Sequence, residues 1–138
     1  MSRHATDFVS RATARARLPL DYSVTSLRIV DRVVDGLRRT TDDPFAVRQA
    51  LQGLGAYAGE VFVRGYGARW VDFDEETHGL FQQPVGIRSM DGRAWNPLGK
   101  VVNRFEWGAA ESVHELSFLF PGRVRASPLT ACAGGRVR

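Results

Sequence analysis

The spacing of apolar residues changes character several times along this chain, and each change marks an element. Leu27, Val30, Val33, Val34 and Leu37 recur at steps of three and four, while Arg28, Asp31, Arg32, Asp35 and Arg38 occupy the other side. That is the period of one helix face, so an amphipathic helix is expected over roughly 23–39, with Ser23 as its N-cap. Gly36 inside it costs about 1 kcal/mol against alanine, which predicts a loose last turn.

A second helix has a different character. Between Leu51 and Val63 only Gln52 and Glu60 are strongly polar, so this segment is apolar around most of its circumference and belongs at the centre of the fold. Asp43-Pro44 supplies its start: the carboxylate accepts orphan amide hydrogens, and a proline at the first helical position has no amide hydrogen to leave unpaired. Running to about Tyr66, the helix would be about 33 Å long. Val47, Leu51, Leu54, Ala58, Val61 and Phe62 fall in one stripe, and Gly55 and Gly59 cut a flat notch beside it. Two interior glycines cost about 2 kcal/mol of helix propensity, so a strand or the first helix is expected to press into the notch. Gly65 and Gly67 end the helix.

From Ala68 the period shortens. Arg69–Phe73 and Pro84–Arg88 read as strands, and Pro84 marks a strand start or an edge. The polar stretch from Asp74 to Gln83 reads as a loop. Asp91-Gly92 signals a hairpin between Arg88–Met90 and Arg93–Trp95. Asn96-Pro97 repeats the cap-plus-proline signature before a helix with Leu98, Val101, Val102 and Phe105 on its buried face, closed by Gly108. Glu111–Phe120 fits either a helix or a strand. The order has no βαβ repeat, so the expected class is α+β: a single domain with a long central buried helix, packed with further helices against a small antiparallel sheet. Its expected limits are residues 21–120, with a flexible or loosely docked basic segment at 1–20 and a disordered tail at 121–138.

Composition changes this picture little: 138 residues with 43% hydrophobic and 25% charged suit one domain with one core. Charge distribution matters more. Residues 1–20 carry four arginines against one aspartate, and residues 121–138 carry four arginines and no acid, so a net charge of +4 conceals a body of about −3. Specific nucleic-acid binding is therefore not expected of the body, although the Arg-rich ends could attract polyanions weakly. Cys132 is the single cysteine, which rules out an intrachain disulfide. No apolar run approaches the roughly 20 residues of a membrane span, and the basic start lacks an uninterrupted apolar stretch behind it. A cytoplasmic protein without membrane contact is the expectation.

Candidate chemistry is sparse. Gly53, Gly55 and Gly59 approximate a phosphate-binding run, but they lie inside a helix and no Walker lysine follows. Asp72, Asp74, Glu75, Glu76 and His78 have the ligand types for a cation without the offsets or the glycine of a calcium loop. His4 and His114 lie far from His78, so no zinc spacing exists. Ser112 and His114 are two apart, which on a helix points them to different faces. Glu60 stands out as a carboxylate in the most apolar helix, where burial would raise its pKa unless Arg64 or Arg69 compensates. It could pair with Arg64 four residues on, or define a ligand site with Arg64, Arg69 and Asp72. Trp95 and Trp107 flank the last long helix and are the candidate partner anchors.

The segment LGAYAGEVFVRGYGARWV, preceded by LDYSVTSLRIVDRVVDGLR and followed by PLGKVVNRFEWG, resembles a group of short bacterial proteins, largely actinobacterial, of unknown function. The resemblance spans roughly residues 20–120. In that group Gly, Tyr, Gly and Glu stand at the positions of Gly55, Tyr57, Gly59 and Glu60, a strand tryptophan matches Trp70, and a Pro-Leu-Gly-Lys-Val helix start matches Pro97–Val101. It implies that the helix belongs to a recurring scaffold and names no substrate. The leading expectation is a non-enzymatic binding or adaptor protein acting through a protein partner, with no cofactor and no metal. The alternatives are a small enzyme or small-molecule binder around Glu60, and a nucleic-acid accessory protein using the Arg-rich ends.

Overall fold

A computed structural model describes residues 20–40 and 42–121, with Met1, Arg3, Thr6 and Asp7 of the leading segment. The segments expected to be loosely docked or disordered at the two ends otherwise lie outside the described residues. The architecture is α+β. Helix α1 (Leu27–Thr40) is followed by the central helix α2 (Pro44–Tyr66), strand β1 (Arg69–Asp72), a short helix α3 (Glu75–Phe81), strands β2 (Val85–Arg88) and β3 (Ala94–Trp95), and helix α4 (Pro97–Trp107). A 3₁₀ turn (Ala109–Glu111) and a short helix α5 (Val113–Leu116) complete it.

The capping chemistry works as the sequence requires. Asp43 accepts the amide hydrogens of Phe45 and Ala46 at the head of α2, and Gly67 closes its tail at φ 76°, a left-handed conformation that a β-carbon would disfavour. From Gly53 to Phe62 every residue of α2 is buried. Asn96 caps α4 by accepting from the Gly99 amide. The three strands form one antiparallel sheet in the order β1-β2-β3, with Trp70 opposite Ile87 and Ile87 opposite Trp95.

Two expectations need correction, and one left open is decided. The stretch after Asp74 is not a plain loop: Asp74 accepts from the Thr77 amide and starts α3, a helix with no buried residue and therefore no apolar periodicity to announce it. Residues 111–120, open between helix and strand, form helical turns. The glycine notch is filled on one side by a strand, as expected, but on the other by α4 and not by α1. A β-carbon at Gly55 would stand 2.8 Å from the Leu98 α-carbon, and one at Gly59 would stand 2.2 Å from the Trp70 ring. The two glycines let α4 and the indole of β1 lie directly on the backbone of α2.

This packing predicts opposite outcomes for two identical substitutions. Gly55→Ala forces α4 outward, and overpacking of about 1–3 kcal/mol outweighs the roughly 1 kcal/mol gained in helix propensity, so a lower Tm is expected. At Gly36 an added methyl meets nothing within 4 Å, so Gly36→Ala is expected to raise stability by up to about 1 kcal/mol. Urea unfolding of the two variants beside the parent checks both signs.

Candidate functional site

Glu60 is the buried carboxylate of α2, 6% exposed, and both of its oxygens are engaged. Oε1 accepts the indole N–H of Trp70 at 3.0 Å, and Oε2 accepts from Arg64 Nε at 3.0 Å. The i,i+4 pairing with Arg64 is thus formed, and Trp70 joins it from β1. The Arg64 guanidinium in turn lies 3.6 Å above the Tyr22 ring, which packs at 4.9 Å on Tyr57. The Tyr57 hydroxyl accepts the Tyr22 amide hydrogen at 2.8 Å. It also contacts Ser26 Oγ at 2.7 Å, and because Ser26 donates its own proton to the Ser23 carbonyl, Tyr57 is the donor there. Burial pushes the Tyr57 phenol above its usual pKa, with the Ser26 bond opposing, so it stays protonated. Tyr22 holds φ 64°, costly for a tyrosine, and the Tyr57 bond and the Arg64 stack hold it there.

The other two residues expected beside Glu60 lie elsewhere on β1. Arg69 is exposed, opposite Arg88, and strand alternation puts it on the face away from Trp70. Asp72 is exposed at the far end of the strand, where it lines a shallow hollow of about 220 Å³ with Trp70, Val71 and Val85. Among the described residues no three His, Cys, Asp or Glu side chains gather to hold a metal ion.

A second charged centre was not anticipated. Arg104 on α4 is 4% exposed, and its guanidinium bonds Asp31 at 3.2 Å and both oxygens of Asp35 at 2.8 and 2.9 Å. The Asp31 carboxylate also accepts from Ser112 Oγ at 2.7 Å and from the amides of Val113 at 2.8 Å and His114 at 3.2 Å, so a side chain of α1 caps the start of α5. The polar side of α1 is therefore covered by α4 and α5 along this stretch. Hydrogen bonds from Arg104 hold the Asp35 carboxyl below its usual pKa and raise that of Arg104. Ser112 and His114 are absorbed into the same clamp, one through its hydroxyl and the other through its main chain. Burial lowers the His114 pKa, with the charge of Arg28 acting in the same direction. The available signal was Arg104 itself, a charge in register with Leu98 and Val101 on the buried face of α4.

The two candidate tryptophans differ. Trp95 is half-buried: its indole N–H bonds Ser89 Oγ at 2.9 Å, and its ring packs at 4.7 Å on Phe120, which belongs to the core. Trp107, at the last residue of α4, is 73% exposed. The Arg-rich ends, apart from Arg3, lie outside the described residues, as does Cys132.

The clamp predicts two measurable effects. Asp31→Ala leaves Arg104 short of a partner and three donors unmet, so a loss of about 3–5 kcal/mol is expected, with the Val113 and His114 amides exchanging hydrogen fastest. For Asp35 the folded pKa lies below the unfolded value of 3.8, so its stabilisation is present above that value and is lost as pH falls through the folded one. Asp35→Asn is expected to be less stable than the parent at pH 7, with the gap narrowing below about pH 4 in acid-dependent urea titrations.

No protein-family model, curated protein or solved structure matches this chain.

Proposed function

We propose that this protein is a non-enzymatic binding or adaptor protein that acts through a protein partner, with Trp107 as the anchor. The observation that carries this reading is the 73% exposure of an indole at the end of a helix whose position is held, one turn earlier, by the buried Arg104 clamp. A tryptophan presented on a fixed element contributes large contact area at little cost in side-chain entropy, which is why such residues dominate interface energetics. The Arg38 guanidinium lies beside Gly108, the next residue after Trp107, so the anchor has a positive flank. The partner surface that fits is an indole-sized apolar slot with carboxylates at its edge.

Support for a non-enzymatic role comes from the carboxylates. Glu60 accepts from Arg64, and Asp31 and Asp35 accept from the buried Arg104, and among the described residues every buried side-chain nitrogen or oxygen has a hydrogen-bond partner. A general base would need an oxygen available to a substrate proton. The pocket reading around Glu60 has less support for the same reason, since Trp70 and Arg64 hold its two oxygens.

Site-specific photo-cross-linking in the native cells tests the proposal. A benzophenone side chain at position 107 is expected to give one discrete protein adduct, while the same group at the exposed Asn103 gives none. Trp107→Ala is expected to keep the parent Tm and weaken binding of the captured partner by tenfold or more. Equal cross-linking from both positions, or an unchanged affinity, would refute the anchor role.

A further inference from the structure

A cavity of about 310 Å³ opens between the first half of α2, the first turns of α4 and the start of β2. Its walls are apolar, formed by Leu51, Leu98, Val102 and Val85 with Pro84, and Met1 completes the lining. Leu51 and Leu98 are 7% and 5% exposed, so the inner wall is part of the packed core rather than a surface dimple. The polar side chains lining it are three long ones, Arg48, Gln52 and Gln83. No carboxylate lines the space, and among the described residues Arg48 makes no ion pair.

From this arrangement we infer that the cavity is a binding site for a small apolar monocarboxylate, with its hydrocarbon or aryl body against Leu51, Leu98 and Val102 and its carboxylate on Arg48. The size, about 310 Å³, sits at the lower end of ligand cavities, about 300–1,000 Å³, which suits a body of roughly eight carbons. Arg48 is the one charged side chain in the lining and selects the sign of the head group: a guanidinium offers a carboxylate two parallel N–H donors, and Gln52 and Gln83 can add amide donors beside it. A cationic amphiphile would place its charge against Arg48, and a neutral one would leave the guanidinium without its partner.

A second observation points to the same region. Among the large apolar side chains left most exposed, Phe45 (64%) stands three residues before Arg48. On α2 a spacing of three places Phe45 beside Arg48 on one face, so an exposed phenyl group adjoins the cation. The site also has a structural origin in the glycine notch. Gly55 draws Leu98 onto the backbone of α2, which brings the first turn of α4 close enough to wall the cavity.

Octanoate is the probe that tests this on the full chain, followed by ¹H–¹⁵N correlation spectra. Saturable shifts confined to the amides of Leu51, Val85, Leu98 and Val102 are expected, with a dissociation constant of about a millimolar or below, as roughly ten ligand atoms allow. Octan-1-ol and octylamine are expected to bind at least tenfold more weakly. Arg48→Ala, a change of an exposed side chain, should cost octanoate about tenfold and leave octanol unchanged, while Arg48→Lys recovers part of the loss. Val102→Phe, confirmed as folded by its spectrum, should fill the space and abolish both. Equal binding of octanoate and octanol, retention of octanoate affinity in Arg48→Ala, or shifts centred on Trp107 instead of the cavity would overturn the assignment.

Discussion

The structure depends on the direct contact between the backbone of α2 and two neighbours, the first turn of α4 at Gly55 and the Trp70 indole at Gly59. Side chains normally hold a helix 8–10 Å from its partners, and removing two of them lets α4 and the sheet approach more closely. That approach has consequences in three directions. It seats Trp70 so that its N–H reaches Glu60. It also aligns α4 so that Arg104 meets Asp31 and Asp35 of α1, and it places Leu98 on the wall of the apolar cavity.

Each member of the Gly-x-Tyr-x-Gly-Glu motif then has a distinct physical task. Gly55 receives α4, Tyr57 pins the turn before α1 through Tyr22 and Ser26, Gly59 receives Trp70, and Glu60 satisfies the indole N–H while pairing with Arg64. Spacing of two along a helix points successive members in different directions, so the motif touches α4, the N-terminal turn and the sheet within six residues. The motif, two of whose glycines also belong to the Gly53, Gly55 and Gly59 run, is in this way a junction.

The two charged centres act as register devices more than as sources of stability. Burying an ion pair gives back in desolvation much of what attraction supplies, whereas a mispaired register would strand Arg104 or Asp31 away from water without partners. The Arg104 clamp fixes the order α1, α4 and α5, and the Glu60 pair fixes the sheet against α2. Large apolar side chains are also left exposed among the described residues, including Trp107 at the end of α4, Phe118 and Leu119 after α5, and Phe45 in the first turn of α2.

Elements with a buried periodic face or a cap could be read from the residues. The bounds of α2 and α4 followed from Asp43-Pro44, Gly67, Asn96-Pro97 and Gly108, because caps and glycines act within a few residues of themselves. The pairing of Glu60 with Arg64 was equally local. Helix α3 was not legible, since all its residues lie outside the core and its only signal is the Asp74 cap. The role of Arg104 was hidden for the opposite reason. Its partners Asp31 and Asp35 lie about seventy residues away, in a helix where they resemble an ordinary solvated face. The sequence alone determined the three long helices and the strand segments, and that something must fill the notch at Gly55 and Gly59. Only the tertiary structure decided that α4 and Trp70 fill it, which charges are buried and where the cavity opens, because such choices depend on long-range contacts that local periodicity does not encode.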